Sequence, residues 1–431
     1  MARMIREGAL SPVDALAACL ERIDAVDPLV KAWVHVDREA ARRTAEQREF
    51  EASTRRFLGP LHGVPVALKD IFDAAGLPTT AGAPAFAHRL PAADAASVAS
   101  LRAAGAIVLG KVTTTAFASL DPTPTRNPWN LEHTPGGSSS GPAAAVAARM
   151  VPLALGSQTV GSTLRPAAYC GVVGFKPNHG RVSAAGVVPL AWSLDHVGIF
   201  ARTVEDCALA LGPLAGSDSA ERAGDYFAAV ARPAPPRLGV LRRIIERAPH
   251  AMGMHIESIV GILRSAGALV NDVEPPPSYD GIHEAGNLVA RAEAAAYHGP
   301  LYARHADEYP PRIRDAIREG RAISAVDYLA AQHARRAFRE EMAPIAARYD
   351  ALITPTAPAS APRGLDSTGD PSFCAPWSFA GMPAIALPSG LDATGLPLSI
   401  QLVGGTFAEA RLLGAAGWCE EAIAFSATPP L

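Results

Sequence analysis

Two short turns rich in serine and glycine carry the residue types in this sequence that are best suited to chemistry. They are Gly136–Gly141 and Gly156–Ser162, and both lie within the stretch from Thr134 to Pro177. Each turn adjoins an apolar run, PAAAVAARM or MVPLALG, of the kind that only a buried element needs. Hydroxyls and free backbone N–H groups beside a buried element are the layout of an active site, not of a flexible linker.

The use of lysine points to a second component of such a site. The chain has 39 lysines and arginines together, of which only four are lysine, and these are Lys31, Lys69, Lys111 and Lys176. Arginine stays protonated in proteins, whereas a buried lysine can lose its proton and act as a base. A lysine kept against this background is therefore a candidate base. The alternative is a structural ammonium that binds carbonyl oxygens.

Two well-known motifs match the sequence only in part. The sequence GSSSG fits G-x-S-x-G, which would make Ser139 the nucleophile on a strand-to-helix turn of an α/β-hydrolase. The preceding residues, NPWNLEHTPG, are polar and turn-forming, although that turn requires an apolar strand before it. A phosphate-binding loop is disfavoured because no G-K-[ST] follows the glycines.

Composition limits the remaining classes of protein. A chain of 431 residues, 49% hydrophobic and 19% charged, can bury a large core. A net charge of −3 and a pI near 6.5 disfavour nucleic acid as a partner. The N-terminal segment has no apolar core of signal-peptide length, so we expect a cytoplasmic protein without a membrane partner. We also expect no metal or cofactor, since the cysteines have neither disulfide nor zinc spacing and suit buried positions; they are Cys19, Cys170, Cys207, Cys374 and Cys419.

The order of the predicted elements indicates an α/β fold. Ser11 is the predicted N-cap of a first helix, and a second, polar helix is predicted from Asp37 to about Thr54. Alternating apolar residues predict a strand over Val64–Leu68 with Lys69 at its end. A helix over Asp94–Ala104, followed by the buried strand AIVLG and then a lysine, favours a parallel α/β sheet.

Seven blocks of the sequence, in the right order, resemble the amidase signature family, with a signature region similar to that of malonamidases; the blocks are Gly59–Asp70, Gly105–Lys111, Asn127–Asn130, Gly136–Gly141, Gly156–Pro166, Tyr169–Pro177 and Ser193–Asp206. The resemblance implies a single α/β/α domain over residues 1–431, with a mixed sheet of about ten or more strands covered by helices. Within it we expect a signature core at about 59–206, a helical substrate cap at about 279–348 and closing strands at about 349–431.

The resemblance also implies a Ser-Ser-Lys triad. The family's nucleophile falls on Ser162, its bridging serine on Ser138, which follows a cis peptide bond in the family, and its lysine on Lys69. The chemistry is consistent, because a serine hydroxyl needs a base to take its proton and no Ser-His-Asp set is indicated. Burial beside the strand over Val64–Leu68 would lower the pKa of the lysine towards neutrality.

The turn before the nucleophile is expected to bind the negative oxygen that forms during attack. Its donors would be the backbone N–H groups of Thr159, Val160, Gly161 and Ser162. The family usually has a glycine pair there, and a β-branched valine requires either ordinary backbone angles or strain. A narrower pocket is also expected there.

A second departure from the family concerns an arginine. Arg165 stands three residues after the nucleophile, where the family usually has an arginine two residues after it. We expect Arg165, with Gly137, to contact the substrate and to favour small amides that carry a carboxylate. The alternative is that this arginine pairs with an acidic residue of the scaffold.

The predicted function is hydrolysis of C–N acyl bonds through an acyl-serine intermediate. Carboxylated amides, aryl amides, ureas and carbamates remain open as substrates. The chain could also form a homodimer. The first alternative is an A-type subunit of a tRNA-dependent amidotransferase, which acts with partner proteins and is disfavoured by the acidic balance of the chain. The second is a non-catalytic binding module, disfavoured because all three triad residues are present.

Overall fold

The computed structural model describes residues 1–216 and 221–431, and its strands form one sheet. In chain order the strands are β1 (Trp33–Val36), β2 (Pro65–Lys69), β3 (Ile107–Val112), β4 (Leu153–Gln158), β5 (Val173–Lys176), β6 (His196–Ala201), β7 (Arg237–Leu241), β8 (Leu269–Val273), β9 (Ala351–Pro355), β10 (Ala384–Leu391) and β11 (Pro397–Val403).

Helices lie between most of these strands. In the part of the chain that is described they are α1 (Ala2–Glu7), α2 (Pro12–Val30), α3 (Arg38–Ser53), α4 (Ala96–Ala103), α5 (Ser140–Ala147), α6 (Leu164–Cys170), α7 (Val204–Leu214), α8 (Ala223–Ala231), α9 (Arg242–Ile245), α10 (His250–Ser265), α11 (Ile282–His305), α12 (Pro311–Arg321), α13 (Ala325–Ala346), α14 (Ala375–Phe379) and α15 (Glu409–Ile423).

The sheet is mixed, as the resemblance implied. Its strand order is β1-β3-β2-β4-β6-β5-β10-β11-β9-β7-β8. Strands β3, β2 and β4 run parallel to one another, and so do β8, β7 and β9. The pairs between these two groups are antiparallel. The α/β fold with a sheet of ten or more strands is therefore confirmed.

Both faces of the sheet are covered by apolar side chains. Along β2, Val66 and Leu68 belong to one buried cluster, together with residues of α4, α7, α10 and α15. Ala67 belongs to the other cluster, together with residues of α2, α3, α5 and α13. Successive side chains of a strand point to opposite faces, so two helical layers enclose the sheet. This double burial explains why β2, β3 and β4 are apolar runs without exposed residues.

The predicted helix starts are confirmed by their caps. The Ser11 side chain accepts hydrogen bonds from the N–H groups of Val13 and Asp14, which begins α2. The Asp37 side chain accepts one from Ala40 and begins α3.

One strand is longer than predicted. Lys111 lies inside β3 and not after it, because β1 pairs antiparallel with Gly110, Lys111 and Val112 and extends the ladder.

All five cysteines are buried and free, as predicted. Across residues 1–216 and 221–431, we find no helix with both the length and the apolar character needed to cross a membrane.

Candidate active site

A buried lysine and a serine hydroxyl meet at the end of β2. The Nζ atom of Lys69, the last residue of that strand, lies 2.7 Å from Ser138 Oγ. A second hydroxyl, Ser157 Oγ in β4, lies at the same distance from the lysine. The parallel pairing of β2 with β4 brings the ends of the two strands together. The structure thus joins two of the three predicted triad residues.

No carboxylate among the described residues contacts Lys69, and this affects the charge of the lysine. Complete burial lowers the pKa of Lys69 to about 7, and the negative charge of Asp195 opposes part of that shift. Burial likewise raises the pKa of Asp195 to about 6, against hydrogen bonds from Thr159 and the backbone of Ala191 and Leu190. A substantial fraction of Lys69 is therefore neutral near pH 7, which a general base requires.

The segment that carries Ser138 is fixed by its own hydroxyls. The peptide bond between Gly137 and Ser138 is cis, as the resemblance implied. Ser139 Oγ donates to the carbonyl of Ser157 at 3.1 Å and accepts from its N–H at 3.2 Å, which attaches the segment to β4. Ser140 Oγ donates to the carbonyl of Gly136 at 2.7 Å. The hydroxyl of Ser139, which the hydrolase motif would make the nucleophile, is therefore used to hold the segment against β4.

Ser162 follows β4 in a turn that is fixed by hydrogen bonds of the Gln158 side chain. Gln158 Oε1 accepts hydrogen bonds from the N–H groups of Thr163 and Leu164, at 2.8 and 2.9 Å, at the start of α6. Gln158 Nε2 donates to Ser378 Oγ at 2.8 Å. The Ser378 hydroxyl is also 2.7 Å from the carbonyl oxygen of Val160. These bonds fix the turn on both sides without using its own N–H groups.

Those N–H groups remain available for a ligand. Among the described residues, the backbone N–H groups of Val160, Gly161 and Ser162 donate no hydrogen bond. Val160 is not among the residues with positive φ, so the turn has ordinary backbone angles at this departure from the family pattern. Gly161 has no room for a side chain, because an added Cβ would lie 2.8 Å from Pro371 Cβ. The turn can therefore present several donors to one oxygen atom.

Ser162 opens onto a cavity of about 330 Å³, which we call the acyl cavity. Its wall includes Arg165 and the turn Thr159–Ser162, which we call the donor turn. The rest of the wall is mainly apolar: Ala118, Leu120, Leu190, Ala290, Ala294, Ala316 and Pro371. Asn287 and Arg291 of α11 also line it. The Ser162 hydroxyl makes no hydrogen bond within the described residues, so the structure does not bond it directly to Ser138 or Lys69.

Arg165 is buried on the wall of the acyl cavity, but part of its guanidinium is engaged by the protein. Nη1 donates to the carbonyl of Gly369 at 2.7 Å, and Nη2 donates to the carbonyl of Gly137 at 2.7 Å and to Thr368 Oγ1 at 3.1 Å. Its Nε has no partner in the described part of the chain. Gly137, the other predicted substrate contact, is buried, and an added Cβ would lie 2.7 Å from Thr368 Cγ2.

The other two buried lysines are structural. Lys111 Nζ lies 3.0 Å from an oxygen of Asp70 and also bonds the carbonyls of Phe72 and Pro78 and the hydroxyl of Thr79. Lys176 donates to the carbonyl oxygens of Pro177 and Met382. Their contacts fit the alternative interpretation, a structural lysine that binds carbonyl oxygens. Burial lowers the pKa of Lys176 to about 7 as well, so the hydroxyl contacts of Lys69, and not its pKa, distinguish it from Lys176.

Sequence reasoning missed three residues of the site: Ser157, Gln158 and Asp195. The first two lie in the turn that was singled out, but their polar side chains carry no motif of their own. Asp195 lies in the block Ser193–Asp206, which supported only the resemblance. A polar residue at the end of a buried strand indicates a functional site, and this pattern identified Lys69 at the end of β2. The same pattern occurs at Ser157 and Gln158 at the end of β4.

These features describe an α/β fold with a candidate site of serine hydroxyls and a buried lysine. The chain belongs to the amidase family, whose pattern matches residues 14–413. The predicted resemblance is thereby confirmed, and the protein is an amidohydrolase.

Individual relatives cover almost the whole chain. The chain is 36% identical over 466 residues to the A-type subunit of glutamyl-tRNA(Gln) amidotransferase from Geobacter metallireducens (strain ATCC 53774 / DSM 7210 / GS-15), covering 96% of this chain and 95% of that protein. It is also similar to a crystal structure of an amidase, with a TM-score of 0.88, 32% identity and 97% and 98% of the two chains covered. It is similar as well to a peptide amidase in complex with the competitive inhibitor chymostatin. The TM-score is 0.86 and the sequence identity 30%, and the match covers 100% of this chain and 98% of that chain.

Proposed function

We propose that the protein hydrolyses C–N acyl bonds through an acyl-enzyme on Ser162, with Lys69 as the base and Ser138 as the proton relay. The observation that carries this proposal is the 2.7 Å contact between Lys69 Nζ and Ser138 Oγ, made by a lysine whose pKa burial lowers to about 7. A neutral amine can accept a proton from the relay hydroxyl, which no arginine in this position could do.

The proposed reaction has two halves. Ser162 Oγ attacks the amide carbonyl carbon as its proton passes to Ser138 and the proton of Ser138 passes to Lys69. The carbonyl oxygen becomes negative and accepts from the backbone N–H groups of Thr159, Val160, Gly161 and Ser162, of which one donor is typically worth about 3 kcal/mol. The C–N bond then breaks as the proton returns from Lys69 to the leaving nitrogen. Water attacks the acyl-serine by the same proton route and releases the acid.

The acyl cavity supports uncharged or singly charged acyl groups of moderate size. Its wall is mainly aliphatic, which suits the burial of apolar groups. Residues of α11 and α12 form one side of it, consistent with a role for the helical region 279–348 in choosing the substrate. The two arginines on the cavity wall, Arg165 and Arg291, keep the carboxylated amides among the proposed substrates.

A second candidate function is supported by the relatives. An A-type amidotransferase subunit would use the same acyl-enzyme chemistry, but the amide nitrogen would pass to an acceptor held by partner subunits. The 36% identity over nearly the full length of one such subunit favours this candidate more than the charge of the chain opposes it. The name of this relative includes tRNA. The relative therefore does not support the prediction that nucleic acid is not a partner.

Ammonia release by the purified chain distinguishes the two candidates. The panel comprises small aliphatic amides, aryl amides, a dicarboxylic half-amide, ureas, carbamates and glutamine, each tested with the native chain and with Ser162→Ala. Release from any of them by the native chain alone supports the hydrolase. Release from glutamine only in the presence of the other subunits of an amidotransferase supports the second candidate. Equal release by Ser162→Ala would contradict both.

A further inference from the structure

A second cavity lies beside the acyl cavity, and it has no role in the reaction proposed so far. Its volume is about 160 Å³, and Ala118 and Leu190 line both cavities. We call it the rear cavity. Most of its remaining wall is apolar, formed by Ile71, Val187, Val188, Pro189, Trp192 and Val197. Trp192 is 50% exposed, so the rear cavity reaches the protein surface.

Three polar residues line the rear cavity, and two of them contact the catalytic centre. Ser157 is the second hydroxyl bonded to Lys69, at 2.7 Å. Asp195 accepts from Thr159 Oγ1 at 2.5 Å, and Thr159 is part of the donor turn. The rear cavity therefore adjoins a partner of Lys69 and a partner of Thr159, although Lys69, Ser138 and Ser162 do not themselves line it.

The third polar residue, His196, has an unused acceptor. It is 4% exposed, and its Nδ1 lies 3.1 Å from the carbonyl oxygen of Gln158. A carbonyl can only accept, so Nδ1 carries the proton. Burial lowers the pKa of His196 well below its usual range, so the ring is neutral and Nε2 keeps a lone pair. That Nε2 has no hydrogen-bond partner among the described residues, although a buried polar atom normally has one.

We propose that the rear cavity is the subsite for the leaving amine, and that it takes ammonia or a small primary alkylamine. The inference rests on the proposed function, because it divides the substrate of that reaction between two cavities. The acyl group occupies the cavity at Ser162, and the nitrogen substituent extends past Ala118 and Leu190 into the rear cavity.

The chemistry of the walls fits such an occupant. When the C–N bond breaks, the nitrogen takes its proton from Lys69, whose second partner Ser157 faces the rear cavity. An amine released there meets the carboxylate of Asp195, which attracts an ammonium, and the lone pair of His196, which accepts an N–H. The aliphatic wall suits the short alkyl group. An anionic or large aromatic leaving group lacks both a partner and the necessary volume.

The test measures amine binding without turnover. Calorimetry compares n-propylamine binding to Ser162→Ala alone and to the same variant carrying Val187→Trp or Leu120→Trp. Val187 lines only the rear cavity and Leu120 only the acyl cavity, so the two substitutions are matched. We expect Val187→Trp to weaken binding at least tenfold and Leu120→Trp to change it less than twofold. Ala184→Trp, at an exposed part of the rear wall, replaces Val187→Trp if that variant does not fold.

Absence of amine binding to Ser162→Ala, or equal weakening by the two tryptophans, would overturn the proposal. A second arm uses chains with native Ser162 and compares a primary amide with its N-propyl derivative. Val187→Trp should lower kcat/KM for the N-propyl amide about tenfold more than for the primary amide, whereas Leu120→Trp should lower both alike. If the native chain cleaves no amide, the proposed function fails, and the calorimetry still decides the rear cavity on its own.

Discussion

Lys69 and Lys111 lie on neighbouring parallel strands, and their surroundings give them different properties. Lys111 is paired with Leu68, the residue before Lys69, in the register of β2 and β3. Both side chains are fully buried. Lys111 contacts the carboxylate of Asp70 and three further acceptors, whereas Lys69 contacts two hydroxyls. Burial lowers the pKa of both lysines. The carboxylate of Asp70 opposes that shift at Lys111 by direct contact, whereas Lys69 contacts two hydroxyls, with which it can exchange a proton.

The largest expected effect is on turnover. Lys69→Arg should lower kcat/KM by about 10³-fold or more, because arginine cannot accept the proton that general base catalysis moves. Lys31→Arg, at an exposed lysine outside the site, is the control and should change kcat/KM less than twofold. The measurement is amide hydrolysis at pH 7.5, with folding checked by circular dichroism. Similar activity in the two variants would refute Lys69 as the base.

The second effect is on stability. Lys111→Met should lower the free energy of unfolding by about 3 to 5 kcal/mol, because it leaves the buried carboxylate of Asp70 without its partner. Lys31→Met should stay within about 0.5 kcal/mol of the native chain, as expected of an exposed site. Denaturant unfolding of both variants gives the comparison. A loss below about 1 kcal/mol for Lys111→Met would mean that the ion pair is not what holds the two strands at this point.

A third effect concerns substrate choice at Arg165. If the Arg165 guanidinium on the cavity wall also binds a substrate carboxylate, Arg165→Ala should lower kcat/KM for a dicarboxylic half-amide roughly 30-fold, as expected for a charge-assisted pair. The neutral analogue should change little. Equal losses on the two substrates would show that Arg165 acts only through Gly137, Thr368 and Gly369, which its guanidinium already contacts.

The smallest effect is a displacement of the pH profile. The rate should rise with pH through about 7, because Lys69 gains activity as it loses its proton. The charge of Asp195 raises the pKa of Lys69, so Asp195→Asn should lower that pKa further and move the rising limb to lower pH. The rate at pH 6, relative to its own maximum, should increase a few-fold. An unmoved limb would mean that burial alone sets the charge of Lys69.

The comparison of the two lysines also shows what the sequence could predict. Both were candidates for a base, and local pattern placed Lys69 correctly at the end of β2. Their partners could not be derived locally, since Ser138 and Ser157 are 69 and 88 residues away from Lys69 along the chain. Only the resemblance gave Ser138 and Ser162 their expected roles, and Ser157 has no role in that resemblance.

Long-range pairing accounts for the remaining differences. The end of β3 was misplaced because it depends on β1, which lies about 75 residues earlier and pairs with it antiparallel. Two of the three partners of Arg165, Thr368 and Gly369, lie 203 and 204 residues further along the chain, in a segment that no periodicity singled out. The rear cavity depends on which loops the fold brings together, and a residue-by-residue pattern contains no such information.

The shortage of lysine at the surface has a practical consequence for handling the protein. Lys69, Lys111 and Lys176 are fully buried, so Lys31 is the one lysine side chain that a reagent in solution can reach. Amine-directed coupling through side chains would therefore attach a dye or a solid support at a single known point, at the end of α2. Molecules coupled through Lys31 would be held in the same orientation, and the buried amine of Lys69 would remain unmodified.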